Sequence, residues 1–181
     1  ALKNNIASQN TAAGFQALTR NTQGENNTAT GWRALFKNTM GISNTASGSE
    51  ALYSNIDGNE NTANGFAALL ENTTGFNNTA TGSGALASNT AGIQNTAVGA
   101  QALNATNGDN NTAIGFGALG NSSGNRNIAV GSGAGSVRTT GDNNIDIGFN
   151  VGVAGEANTI RFGNGQAATF IAGISGVNEG G

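Results

Sequence analysis

The sequence predicts an all-β fold, a parallel β-solenoid in which the chain completes one coil about every seventeen residues. Three observations predict it: a repeat of fixed period, two glycines in nearly every unit, and the absence of proline from a chain of 181 residues. The spacing between successive N-T-A-x-G glycines is 15 to 17 residues along the whole chain. These glycines are Gly14, Gly31, Gly48, Gly65, Gly82, Gly99, Gly115, Gly131, Gly148 and Gly163.

The unit N-T-A-x-G-x-x-A-L-x-x-N-x-x-G-x-x is too short for two packed helices. Each of its glycines would also cost about 1 kcal/mol inside a helix. Two short extended segments, at N-T-A-x and at x-x-A-L-x, fit the unit if each is followed by a glycine or asparagine turn. Nine or ten coils stacked about 4.8 Å apart would form a rod about 45 Å long.

Equivalent residues of successive coils are expected to stack in columns. An alanine column and a leucine column are predicted to form the core, and an asparagine column is predicted to form a ladder of amide hydrogen bonds between coils. The alanines are Ala12, Ala29, Ala46, Ala63, Ala80, Ala97, Ala113 and Ala129; the leucines are Leu18, Leu35, Leu52, Leu69, Leu86, Leu103 and Leu119. The asparagines are Asn10, Asn27, Asn44, Asn61, Asn78, Asn95, Asn111, Asn127 and Asn144.

The composition excludes several classes of function. The chain has no His and no Cys, so it can build neither a Ser-His-Asp or Cys-His centre nor the commonest metal sites. The acids lie mostly in variable turns, as Glu25, Asp57 and Asp109 do. The segment DNNIDIG at 142–148 resembles the start of a calcium loop, but Ile147 stands where the loop needs its glycine and Val153 where it needs the closing glutamate. We therefore predict no enzyme activity, no cofactor and no metal.

Charge and hydropathy limit the partners. The net charge is −3 and the seven basic residues are scattered, which indicates no nucleic-acid partner. No run approaches the eighteen or so apolar residues of a membrane helix, so no membrane insertion is expected in this fragment. The absence of Cys is compatible with an extracellular protein. Neither end carries a start or stop feature, so we expect a piece of a longer chain.

The apolar content predicts an oligomer. Each coil offers one Leu and two Ala, whereas ordering the backbone costs more than about 1 kcal/mol per residue. We therefore expect identical chains to supply a shared interior, as in obligate oligomers.

Two segments resemble a known family. NIAVG at 127–131 and NIDIG at 144–148 resemble the N-x-[VI]-A-[IV]-G repeats of YadA-like head domains in trimeric autotransporter adhesins. The N-T-A-x-G-x-x-A-L units are similar to repeats of bacterial and phage trimeric fibre proteins that end in a self-cleaving intramolecular chaperone. Residues 158–177 resemble the segment that follows those repeats. The resemblance implies a left-handed β-roll, a homotrimer, and a place at the cell surface or in a phage tail.

The chain is expected to have three parts. Residues 1–9 would form an N-terminal lead-in and cap, 10–157 the β-roll repeat domain, and 158–181 the last coil and the junction to a further domain. Toward the C-terminus, the outward strand positions change from Thr, Ser and Asn to Val, Ile and Phe. In the same region Asp146 and Arg161 replace the inward alanine one coil apart, which predicts an ion pair that fixes the register.

The leading hypothesis is a non-catalytic segment of a homotrimeric fibre that adheres to or recognises another cell. Trp32, Phe36 and Tyr53 are the candidate binding residues because exposed aromatic rings stack on sugars, and the expected ligand is a glycan or another cell-surface molecule. An alternative is that these rings seal the first coils or pack between chains. Two further hypotheses are an ice-binding solenoid, suggested by the threonine column from Thr11 to Thr112, and a carbohydrate-active solenoid with paired carboxylates.

Overall fold

The chain forms a single parallel sheet of ten strands, one strand per coil. The computed structural model describes residues 1–3, 5–105, 107–137, 140–149 and 152–164. The strands β1 to β10 are Thr11–Ala13, Thr28–Thr30, Thr45–Ser47, Thr62–Asn64, Thr79–Thr81, Thr96–Val98, Thr112–Ile114, Ile128–Val130, Ile145–Ile147 and Ile160–Phe162. The predicted all-β parallel solenoid is confirmed.

The register of the sheet follows the repeat. Each strand pairs with the next in chain order, so Thr28 lies opposite Thr45 and Ala29 opposite Ala46. No helix occurs among the described residues, and none of them forms a helix able to cross a membrane.

The second segment of each coil differs from the prediction, because x-x-A-L-x forms a turn rather than a strand. Leu35 and Leu52 have φ angles of 50° and 51°, in the left-handed region. This conformation costs a non-glycine residue about 1 to 2 kcal/mol, but it turns the chain within few residues. The coils remain bonded there, since the Leu35 amide donates to the Ala51 carbonyl at 3.0 Å.

The core is a thin stack of small side chains inside the coils. Ala29, Ala34 and Leu35 of the second coil are fully buried, and the same positions are fully buried from the third coil to the seventh. The inward alanine of each strand therefore packs against the Ala-Leu pair of the turn. The predicted alanine and leucine columns form this core.

The predicted asparagine ladder is present and buried. The Asn61 side chain donates through Nδ2 to Asn44 Oδ1 at 3.1 Å and to the Gly75 carbonyl at 2.8 Å. Its Oδ1 accepts the Asn78 backbone amide at 3.0 Å. Each amide thus bonds both to the preceding coil and to the following one, which satisfies polar groups that water cannot reach.

A second asparagine ladder, which the sequence analysis did not predict, runs beside the first. It comprises Asn5, Asn21, Asn38, Asn55, Asn72 and Asn89. Asn72 Nδ2 donates to Asn55 Oδ1 and to the Gly75 carbonyl, both at 2.9 Å. The two ladders therefore share the carbonyl of the second glycine as acceptor. Among the described residues, none donates to the buried Oδ1 of Asn89.

The two glycine columns are required for different reasons. Gly65 has a φ of 136°, and a Cβ there would lie 2.7 Å from the Gly82 carbonyl oxygen of the next coil. A Cβ on Gly75 would collide with Asn72 Oδ1 of the second ladder. The first column permits the corner after each strand, and the second leaves room for the ladder.

The N-terminal residues lie against the first coil. The Leu2 amide donates to the Ala17 carbonyl at 3.1 Å, and Asn5 Oδ1 accepts from Asn21 Nδ2 at 2.5 Å. Leu2 has a φ of 52°, the value typical of the leucine column. Residues 1–9, predicted to be a lead-in and cap, thus extend the leucine column and the second ladder. Residues 165–181, most of the predicted C-terminal part, lie outside the described residues.

Candidate functional site

The outward face of the sheet changes from polar to apolar along the rod. Strand side chains alternate, so the first and third residue of each strand face outward. In β1 to β5 these residues are threonine, alanine, serine or asparagine. From β6 onward, threonine remains only at the first position of β6 and β7, and exposed aliphatic or aromatic side chains occupy most of the other positions. We call these side chains the apolar strip: Val98, Ile114, Ile128, Val130, Ile147, Ile160 and Phe162. A patch of this kind usually marks an interaction surface.

Trp32, Phe36 and Tyr53, the predicted binding residues, lie together on the surface of the second and third coils. The rings of Phe36 and Tyr53 stack with their centroids 5.4 Å apart and an interplanar angle of 13°. The Arg33 guanidinium lies 4.3 Å from the centroid of Trp32 and 5.6 Å from that of Phe36. The structure thus brings the three aromatic residues together, since Arg33 joins Trp32 to Phe36 and Tyr53 stacks on Phe36. Whether they bind a ligand stays a prediction.

Cations cover much of this aromatic cluster. The Arg20 guanidinium lies 4.9 Å from the Phe36 centroid, and Lys37 Nζ lies 4.9 Å from the Tyr53 centroid. Such contacts contribute about 0.5 to 1 kcal/mol each at exposed sites. A sugar could stack on Phe36 only by displacing a cation or Tyr53. The cluster therefore suits a structural role in these coils, or an anionic ligand, better than simple stacking on sugars.

A surface groove of about 550 Å³ lies farther along the rod, between the sixth and ninth coils. Its rim carries Phe116 and Phe149, whose side chains are 60% and 73% exposed. Polar groups are supplied by Gln101, Asn104, Asn121, Ser132 and Ser136, and none of the lining residues that the structure describes is charged. The sequence analysis missed this groove.

Glycines create the space in the groove. Gly117, Gly120 and Gly133 line it, and a Cβ placed on Gly117 would have no other heavy atom within 4 Å. In the second and third coils, Arg33 and Glu50 occupy the positions equivalent to Gly117. Aligning the repeats reveals the exchange of large side chains for glycine, and this is the signal that could have located the groove.

Asp146 and Arg161 lie opposite each other in the pairing of β9 with β10, as predicted from the repeat. The ion pair that the structure places on Arg161 is with Glu156, since Arg161 Nη2 lies 2.6 Å from Glu156 Oε1. The hydrogen bond to Glu156 raises the pKa of Arg161, and the negative charge of Asp146 contributes to that rise. A direct contact between Asp146 and Arg161 stays a prediction.

Asp146 is fully buried, although alanine occupies its position in the preceding coils. Gly135 stands where the preceding coil has Leu119, and its missing side chain leaves space near the Asp146 carboxylate. No group of three or more His, Cys, Asp or Glu that could hold a metal ion is found in the part of the chain that the structure describes.

The fold defines the class of the chain as a parallel β-solenoid repeat protein. Comparison of the chain with protein-family models, with curated proteins and with solved structures finds no match in any of the three. The surfaces described above therefore provide the basis for inferring the function.

Proposed function

We propose that the chain is a non-catalytic segment of a homotrimeric surface or tail fibre that adheres to or recognises another cell. The rod shape would separate a binding region from the surface that carries it. The non-catalytic part of the proposal rests on the lack of His and Cys, and the number of three chains rests on the resemblance of the repeats to trimeric fibres.

The observation that carries the proposal is the apolar strip. Each strand from β6 to β10 contributes one or two of its side chains on one sheet face, so they form a continuous surface along the second half of the rod. Water contact with this surface is unfavourable by about 25 cal/mol per Å² of apolar area. Identical strips on two further chains are matching partners because a symmetric oligomer presents the same surface from each chain.

The test of the oligomer is the mass of the purified chain in solution. Light scattering should give three chains for the native sequence. Replacing Ile114, Val130 and Ile147 together by threonine, the residue at the equivalent position of β2 and β5, should dissociate it. The control is Phe66→Ser, which removes an exposed ring from another column. A native chain that is monomeric and well folded at micromolar concentration would contradict the proposal.

The test of adhesion is binding of the labelled trimer to a panel of bacterial and animal cells. The proposal expects saturable binding to some cells, which excess unlabelled protein should compete away. Turnover of a surface polymer without stable binding would instead support the carbohydrate-active alternative.

An ice-binding role is the second candidate, and the exposed threonine column favours it. Thr11, Thr28, Thr45 and Thr62 are exposed and in register on one sheet face. Thermal hysteresis separates the two roles, since an adhesive fibre should show none. Hysteresis that disappears in Thr45→Val would favour ice binding.

A further inference from the structure

We propose that the groove beside Phe116 and Phe149 binds an uncharged saccharide. This proposal deepens the adhesive function proposed above, and its biological role rests on that function. The site lies within one chain, so its binding chemistry can be measured separately from the assembly of the fibre.

The size and lining of the groove indicate the class of ligand. A volume of about 550 Å³ lies within the range of small-ligand sites, which is about 300 to 1,000 Å³. Its amide and hydroxyl side chains both donate and accept hydrogen bonds, as a sugar's hydroxyl groups do. Because none of the described residues that line the groove is charged, an anionic or cationic ligand would lose water without gaining an opposite charge from them.

The two phenylalanines supply surfaces for the apolar faces of a sugar ring. Phe116 and Phe149 follow the corner glycines Gly115 and Gly148, and Ser132 holds the same position in the coil between them. Two coil spacings separate their backbones by about 9.6 Å. The small Ser132 side chain leaves the interval open, so a pyranose ring can enter between the two aromatic side chains and contact both.

A second aromatic-serine-aromatic interval explains why the glycines matter. Trp32 and Phe66 flank Ser49 in the same column of the second to fourth coils. There the adjacent column carries Arg33 and Glu50, and Arg33 lies over the Trp32 ring. Beside Phe116, Ser132 and Phe149, the adjacent column instead carries Gly117 and Gly133. Among the described residues, only this aromatic-serine-aromatic set borders the groove.

The experiment is binding of the full chain to an array of neutral hexose and N-acetylhexosamine oligosaccharides, printed beside sialylated and sulfated forms of the same backbones. Titration calorimetry with the best neutral oligosaccharide then gives the affinity. Phe116→Ser and Phe149→Ser should each weaken binding at least about tenfold. Gly117→Gln should abolish it by filling the groove, because Gln16 and Gln101 already hold the equivalent position with φ angles of 58°.

The matched control is Phe66→Ser, which should leave the affinity unchanged, and each variant should retain the native melting temperature within a few degrees. The inference is overturned if no neutral oligosaccharide binds, if only the charged forms bind, or if Gly117→Gln binds as the native chain does. If these saccharide tests fail but the native chain is a trimer that binds cells, the proposal of an adhesive fibre still holds. A monomer that binds neutral saccharide through Phe116 would instead contradict the fibre and support the site.

Discussion

The carboxylate oxygen Oδ2 of Asp146 lies 3.2 Å from the point where a Cβ atom on Gly135 would stand. Asp146 enlarges a position that holds alanine in β1 to β8, and Gly135 empties a position that holds leucine in the seven preceding coils. The two departures from the repeat occur in adjacent coils and compensate for each other in volume. They form one packing unit rather than two separate irregularities.

We predict that Gly135→Leu destabilises the chain by about 2 kcal/mol, because the added side chain meets Leu119 and Asp146. In an Asp146→Ala background, the same substitution should cost at least about 1 kcal/mol less, since the ordinary Ala-Leu packing is restored. Urea unfolding of the four proteins measures this coupling. Additivity within about 0.5 kcal/mol would contradict the packing unit.

We predict that Asn61→Asp destabilises the chain by about 2 to 4 kcal/mol at neutral pH. The new carboxylate would face the Asn44 and Gly75 oxygens, which now accept hydrogen bonds from Asn61 Nδ2. Burial would raise the pKa of the new aspartate above its unfolded value, so the penalty is complete above the folded pKa. It should shrink as the pH falls toward about 4.

The matched control for the ladder is Asn64→Asp, the same change at an exposed position of β4, three residues after Asn61. It should alter the unfolding free energy by less than about 0.5 kcal/mol. Equal losses of stability in the two variants would show that the buried amide hydrogen bonds are unimportant.

We predict that Gly65→Ala costs more than about 3 kcal/mol, because its φ of 136° and its contact with the next coil both exclude a side chain. Gly84→Ala should cost about 1 kcal/mol, since its φ is 65° and the nearest atom to an added Cβ is 3.6 Å away. Thermal unfolding followed by circular dichroism compares the two. A smaller loss for Gly65→Ala than for Gly84→Ala would refute the steric explanation.

We predict that Glu60→Gly stabilises the chain by up to about 1 kcal/mol, because Glu60 has a φ of 57° that glycine adopts without strain. Glu71→Gly removes the same charge at another exposed position, whose φ is not in the left-handed region, and it should destabilise by about 0.5 to 1 kcal/mol. The denaturant concentration at the unfolding midpoint should rise in Glu60→Gly and fall in Glu71→Gly. Midpoint shifts of the same sign in both variants would instead mean that the loss of the negative charge determines the change in stability.

The repeat predicted the parallel stacking and the pairing of Ala29 with Ala46, because a fixed period places equivalent residues in one column. It did not predict the left-handed turn at Leu35, since strands and such turns allow the same bonds between coils. The sequence grouped Trp32, Phe36 and Tyr53 as aromatic residues of neighbouring coils. The groove was not predicted, because it consists of side chains that are missing at Gly117 and Gly133, and these are visible only when the repeats are aligned column by column.

The end of the second ladder at Asn89, whose Oδ1 accepts no hydrogen bond from the described residues, has a mechanical consequence. In a stack where each coil contacts only its neighbours, tension along the axis is resisted interface by interface. Five successive interfaces carry an asparagine-asparagine bond of the second ladder, and the described residues show no such bond after Asn89. A pulled fibre should therefore rupture first in the coils beyond Asn89, and the N-terminal block that holds the second ladder and the Arg33 cluster would separate intact.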